Sequence, residues 1–104
     1  MISKNKIKAA FLDRDGVINF DKGYLSKFSD IKFRVGVFKG LRLLNKKKFK
    51  IFIITNQAGV AKGIIKIEDL KILNQKLIRF LKKKDIIISK IEYCPHHRNG
   101  VIKR

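Results

Sequence analysis

Hydrophobic and polar positions along the chain switch between two periods. Lys6 to Leu12 is a short apolar run that closes on Asp13-Arg-Asp-Gly16, and it predicts a buried strand with a tight glycine exit. Val17 to Lys32 has no clean period and predicts a polar, aromatic loop around Gly23. The spacing turns helical from Val35 to Lys47, where Val37, Phe38, Leu41 and Leu44 share one face with Asn45. Lys50 to Thr55 is β-branched and almost unbroken in its apolar character, which predicts a parallel strand covered on both faces. A loop with two glycines spans Asn56 to Gly63. Glu68 to Lys84 predicts a second helix with Leu70, Leu73, Leu77, Phe80 and Leu81 at helical spacing. Its first turn carries Glu68 and Asp69 and its last turn lysines, as the helix dipole prefers. Ile86 to Tyr93 predicts a third strand, and Cys94 to Arg104 shows no period.

Strands alternating with helices imply parallel pairing through right-handed crossovers, an α/β sheet of Rossmann-like, three-layered type. A length of 104 residues bounds the chain to one domain, residues 1–104, with little stability in reserve. The hydrophobic fraction of 45% argues against disorder despite the heavy charge.

That charge is +18. It raises nucleic acid or an anionic surface as a partner. The cations, however, are 20 lysines against 6 arginines, alongside 17 isoleucines, and the lysines are scattered. Arginine is the better reader of bases and phosphates because its planar fork binds both edges at once. A lysine-rich composition is therefore preferred to a nucleic-acid footprint. One cysteine, Cys94, excludes a disulfide within the chain and fits a reducing compartment. The start shows no apolar signal region, and no apolar run approaches the ~20 residues that span a bilayer. A soluble, cytoplasmic protein with no membrane partner is expected.

Candidate chemistry gathers where strands end. Asp13 and Asp15 lie just past the first predicted strand, at the end where open α/β sheets bind ligands. Two carboxylates at this spacing can divide labour, one attacking phosphorus and the other moving protons, with a hard cation such as Mg²⁺ between them and the phosphate. Asp-x-Asp-Gly alone is equally compatible with an acidic, calcium-type turn. Thr55-Asn56-Gln57 follows the second predicted strand, where a hydroxyl and loop N–H groups can hold phosphoryl oxygens; a plain turn is the alternative. Cys94 and His96 form half of a zinc pattern, with His97 adjacent, but structural zinc takes four ligands.

Four stretches carry a family resemblance, in order: Phe11-Leu-Asp-Arg-Asp-Gly-Val-Ile-Asn19, Asp21-Lys-Gly-Tyr24, Thr55-Asn-Gln-Ala-Gly-Val-Ala-Lys-Gly63 and Tyr93-Cys-Pro-His-His97. The chain resembles the heptose bisphosphate and histidinol-phosphate phosphatase group of the haloacid-dehalogenase-type hydrolases. The resemblance implies an incomplete sheet of this type, with three strands and two main helices. It implies Asp13 as nucleophile of an aspartyl-phosphate intermediate, Asp15 as general acid and base, and Thr55 as holder of the transferring phosphoryl group. Asp21, Lys22, Gly23, Tyr24, Asn56, Gln57 and Ala58 would contact a sugar phosphate. Asp13 and Asp15 would meet Mg²⁺, and Cys94 and His96 would be half of a structural zinc site. The implied substrate is D-glycero-D-manno-heptose 1,7-bisphosphate, losing its 7-phosphate on the way to lipopolysaccharide heptose; histidinol phosphate is the alternative. In the family, further cysteines, a phosphate-binding lysine, two more strands and an acidic metal-binding motif follow, and the sequence stops at Arg104 before them. The same resemblance implies a first strand that lacks a neighbour, with an exposed apolar edge. An inactive remnant, a second chain that supplies the missing half, and a basic nucleic-acid-binding protein are the further expectations to weigh.

Overall fold

The computed structural model describes residues 6–21, 23–56 and 62–94, with Asn56 and Cys94 as backbone. Five elements carry the architecture: β1 (Lys8–Asp13), α1 (Val37–Lys46), β2 (Phe49–Asn56), α2 (Ile67–Lys82) and β3 (Lys90–Cys94). A short 3₁₀ turn, Phe28–Asp30, interrupts the long connection after β1. The sheet is parallel with order β1-β2-β3, so the chain steps across it in one direction. With right-handed crossovers, a one-directional walk places both helices on the same face.

Burial bears this out. On β2, Ile51 and Ile53 are completely buried and Thr55 nearly so, while Phe52 and Ile54 between them are half-buried. Ile51 and Ile53 cluster with Leu41 of α1 and with Leu77 and Leu81 of α2. Each helix contributes the stripe its spacing predicts: Leu41, flanked by Val37, Phe38 and Leu44, from α1, and Leu70, Leu73, Leu77 and Leu81 from α2. Phe80, from the same helix, stacks on Phe33 with ring centroids 5.3 Å apart.

Several expectations need correction. β1 is not a buried strand: Phe11 is 68% exposed, and Ala9 and Asp13 are exposed with it. Among the described residues β2 is covered on one face rather than two, so the three parallel strands and two helices make two layers of the Rossmann-like, incomplete fold that was expected. The cause is shared, since a run of three strands stepping one way leaves the opposite face without a helix. β3 starts at Lys90 rather than Ile86. Ile86 and Ile88 are buried all the same, because the extended stretch before β3 packs its isoleucines into the core and Ser89 N–H donates to the carbonyl of Ile51 at 2.8 Å. α1 begins two residues later than predicted, because Gly36 at φ 81° ends the preceding turn. The exposed edge of β1 expected from the resemblance is present: among the described strands β1 pairs with β2 alone.

Candidate active site

The carboxyl ends of β1 and β2 hold the site. Asp13 is the last residue of β1 and sits in register with Ile54 of β2. The next backbone N–H, that of Arg14, donates to the carbonyl of Ile54 at 3.0 Å, so the exit from β1 stays tied to the sheet. The chain then folds back on itself. The carbonyl of Arg14 accepts from Ile18 N–H at 2.8 Å and from Asn19 N–H at 3.1 Å, and Gly16 N–H donates to the carbonyl of Asn19 at 2.7 Å. Gly16 adopts φ 90°, which a side chain would strain. Ile18 and Asn19 are completely buried and anchor this loop beneath the site.

The loop delivers Asp15 next to Asp13 in a fixed orientation. The guanidinium of Arg14 donates to Oδ1 of Asp15 from Nε at 3.1 Å and from Nη2 at 2.9 Å, and to Oδ2 from Nη2 at 3.2 Å. Asn19 Nδ2 donates to the same Oδ1 at 3.0 Å and to the carbonyl of Phe20 at 2.8 Å. The Arg14 side chain is fully buried and that of Asp15 is 20% exposed. A buried guanidinium beside a partly exposed carboxylate supplies the compensation a buried cation needs. Arg14 and Asn19 are the residues that sequence reasoning missed. Their signal was a cation between two aspartates and a polar residue closing the turn.

Asp13, Asp15 and Asp21 line one cavity of about 420 Å³ together with Ile54. Asp21 Oδ1 accepts from Gly23 N–H at 3.0 Å, which turns the chain toward Tyr24. Lys62 Nζ donates to the Tyr24 hydroxyl at 3.2 Å, joining the loop after β1 to the segment after β2. Thr55 belongs to the same end of the sheet, but its side chain faces the helices and is 1% exposed; Oγ1 has no hydrogen-bond partner among the described residues. The structure thus brings Asp13, Asp15 and Asp21 together and leaves Thr55 one layer behind them. Lys22, Gln57, Ala58, His96 and the side chains of Asn56 and Cys94 lie outside the described residues. The zinc half-site therefore falls there too, and among the described residues no group of three or more His, Cys, Asp or Glu could hold a metal ion. No described helix is long and apolar enough to cross a membrane.

No family model matches the chain. Individual proteins do. A D-glycero-alpha-D-manno-heptose-1,7-bisphosphate 7-phosphatase from Campylobacter jejuni is 45% identical over 91 residues, covering 88% of this chain and 53% of the relative. One from Photorhabdus laumondii is 41% identical over 98 residues, covering 94% of this chain and 54% of the relative. Among solved structures, a D,D-heptose 1,7-bisphosphate phosphatase from B. bronchiseptica, complexed with magnesium and phosphate, superposes with a TM-score of 0.81 at 26% identity, over 90% of this chain and 53% of that one. A HAD-like phosphatase from Mesorhizobium loti gives the same TM-score of 0.81 at 28% identity, over 91% of this chain and 46% of that one. In sequence and in fold this chain is similar to haloacid-dehalogenase-type heptose bisphosphate phosphatases, and it spans about half the length of the curated relatives it matches.

Proposed function

We propose that the chain, as a single partial domain, carries the nucleophilic half of a phosphate monoester hydrolase acting in the cytoplasm on a heptose 1,7-bisphosphate. The observation that carries the proposal is the pairing of Asp13, at the carboxyl end of β1, with an Asp15 held in place by Arg14 and Asn19 across one cavity. The names of the relatives favour heptose bisphosphate over histidinol phosphate.

The steps follow from the residues. Asp13 attacks phosphorus through a carboxylate oxygen; an O–P bond forms and the bond from phosphorus to the sugar oxygen breaks. Asp15 donates a proton to the departing sugar oxygen, then takes one from the water that cleaves the aspartyl phosphate, and Asp13 is regenerated with release of inorganic phosphate. Arg14 and Asn19 aim the Asp15 carboxylate throughout. Thr55, Asn56 and Gln57 would hold phosphoryl oxygens, and Asp21 to Tyr24 with Ala58 would contact the sugar phosphate.

The donor set suits Mg²⁺. Two aspartates at one cavity are hard oxygen donors, and this ion commonly takes one or two protein carboxylates and completes its shell with water and substrate phosphate. Asp13 and Asp15 would hold the ion, which would neutralise phosphate charge. Cys94 and His96 would contribute to a structural zinc site. The phosphate-binding lysine and the acidic ligand that the resemblance implies are not among these 104 residues, which would turn over slowly without them.

A chimera tests the proposal: this chain replaces the matching half of the Campylobacter jejuni relative, and phosphate release from heptose 1,7-bisphosphate is measured with Mg²⁺. Turnover is expected, and so is its loss in Asp13→Asn. Turnover that survives Asp13→Asn would remove Asp13 from the mechanism, and a well-folded chimera with no turnover would remove the activity.

A further inference from the structure

We infer that Arg14 and Asn19 divide the two oxygens of Asp15, fixing Oδ1 as a permanent acceptor and making Oδ2 the oxygen that carries the proton. This division rests on the phosphatase reading and deepens it. Beyond aiming the carboxylate, the pair decides which atom does the acid–base work, and so which leaving groups the site serves. Oδ1 accepts from Arg14 Nε at 3.1 Å, from Arg14 Nη2 at 2.9 Å and from Asn19 Nδ2 at 3.0 Å. A carboxylate oxygen offers about two lone-pair sites, so these donors saturate it. The Asn19 amide is oriented by its surroundings. Its Nδ2 donates both to Asp15 and to the carbonyl of Phe20, and exchanging its oxygen and nitrogen would set an oxygen against two acceptors.

A proton on Oδ1 would meet these donors head-on, and a donor cannot pair with a donor. Arg14 and Asn19 are completely buried, so water does not replace the lost acceptor. Arg14 Nη1 is already buried without a partner among the described residues, and losing Oδ1 would strand Nε as well. The carboxyl has one other oxygen. The Asp15 side chain is 20% exposed and lines the cavity with Asp13 and Asp21. With Oδ1 turned to the buried pair, Oδ2 is the oxygen offered to that cavity. The protons then balance on one atom. Oδ2–H gives its proton to the sugar oxygen as the P–O bond breaks, and the same Oδ2 takes one from the water that cleaves the aspartyl phosphate. Oδ1 keeps its donors throughout, so the carboxyl need not rotate between the two halves of the reaction.

Loss of either positioning residue should be felt where the leaving group needs a proton. A sugar alkoxide must be protonated as it departs, whereas acetate leaving from acetyl phosphate need not be. The reading is kcat/KM, which covers events up to departure of the leaving group. In the chimera, Arg14→Gln and Asn19→Ser should each lower it about 10²-fold on heptose 1,7-bisphosphate, the lower end of general acid catalysis, and less than about threefold on acetyl phosphate. Arg14→Lys, which keeps the charge and loses the planar fork, should share that selective loss. Equal losses on the two substrates, or full rescue by Arg14→Lys, would overturn the inference while leaving Asp13 in its role. A second measurement needs no turnover, so it separates this inference from the phosphatase proposal, and it leaves both buried side chains in place. In the isotope-labelled 104-residue chain, the NMR signals of Arg14 Nε–H and Asn19 Nδ2–H should be slow to exchange with water. Asp15→Asn, a neutral isostere whose carbonyl oxygen can take the place of Oδ1, should keep both signals. Asp15→Ala, which removes the acceptor, should shift both. Loss of either signal in Asp15→Asn would show that the neutral side chain does not keep Oδ1 as acceptor, and would overturn the division of the two oxygens.

Discussion

The two faces of this sheet are built from the same strands and from nearly the same residue types, yet they live in different media. On β2, Ile51 and Ile53 point to the helices and are fully buried, whereas Phe52 and Ile54 point the other way and are not. The helix face holds the chain together, because only there do the α1 and α2 stripes meet the strands. The open face carries Asp13, and through Ile54 it borders the cavity where Asp15 and Asp21 converge. Stability and chemistry are thus separated by one residue of strand alternation. The lesson is that apolar character alone does not say which face of a strand a core will claim; the direction in which the chain steps across the sheet decides it.

The sharpest way to break this separation is to alter Asp13. In the chimera described above, Asp13→Asn should lower turnover by about 10⁴-fold or more, the scale of nucleophile loss. Its unfolding midpoint should stay unchanged or rise slightly, since the side chain is exposed and shares its cavity with two other carboxylates. A marked loss of stability would mean that the open face also holds the fold. The next largest effect belongs to the helix face. Ile53→Ala should destabilise the chain by about 2–4 kcal/mol through lost contacts and a residual cavity, read as a lower urea midpoint at unchanged slope. Ile54→Ala, one residue on, should cost less than half of that.

Much of this arrangement was legible in the residues, and the failures have physical causes. α1 and α2 were readable because 3.6-residue periodicity records which side meets the core, where Leu41 of α1 and Leu70, Leu73, Leu77 and Leu81 of α2 are buried. β2 was readable as a strand from its β-branched run, and its parallel partners from the order of elements. What could not be read was coverage. The pattern Lys-Ile-Phe-Ile-Ile-Thr is the same whether one face is covered or both, and β1 looks buried by composition although Phe11 is exposed. The start of β3 was missed because Ile86 and Ile88 are buried outside any ladder, and no local pattern separates buried strand from buried extended chain. At the site, Asp13 and Asp15 were legible from their place after an apolar run. The grip of Arg14 on Asp15 was not, because it depends on a loop that folds back through Gly16 and buries both Ile18 and Asn19.

A smaller effect probes how the helix face is closed at its far end. Asn45, in the last turns of α1, accepts from Ile87 N–H at 2.7 Å and donates to the carbonyl of Ile87 at 3.1 Å. This pair of bonds ties α1 to the extended stretch that carries Ile86 and Ile88 into the core. Asn45→Ala should cost about 1–2 kcal/mol, the scale of two hydrogen bonds lost where their partners can partly rehydrate. Hydrogen exchange at Ile87 should accelerate with it. If stability falls while the Ile87 amide remains protected, the tie acts through α1 itself and not through the approach to β3.

The smallest effect is expected where the sequence looks most apolar. Phe11→Ala removes the largest exposed side chain of β1, and in a buried strand that change would cost ~3–5 kcal/mol. Here the ring is 68% exposed and stacks on Phe52, so most of its surface is in water before and after unfolding. The stacked pair contributes about 0.5–1.5 kcal/mol when well buried, and solvent around both rings reduces that. A loss of about 0.5 kcal/mol is therefore expected for the free chain, against several for Ile53→Ala. The comparison is made by urea denaturation of the two variants side by side. If Phe11→Ala approaches Ile53→Ala in cost, the face is already covered in solution and the two sides of the sheet are equivalent after all.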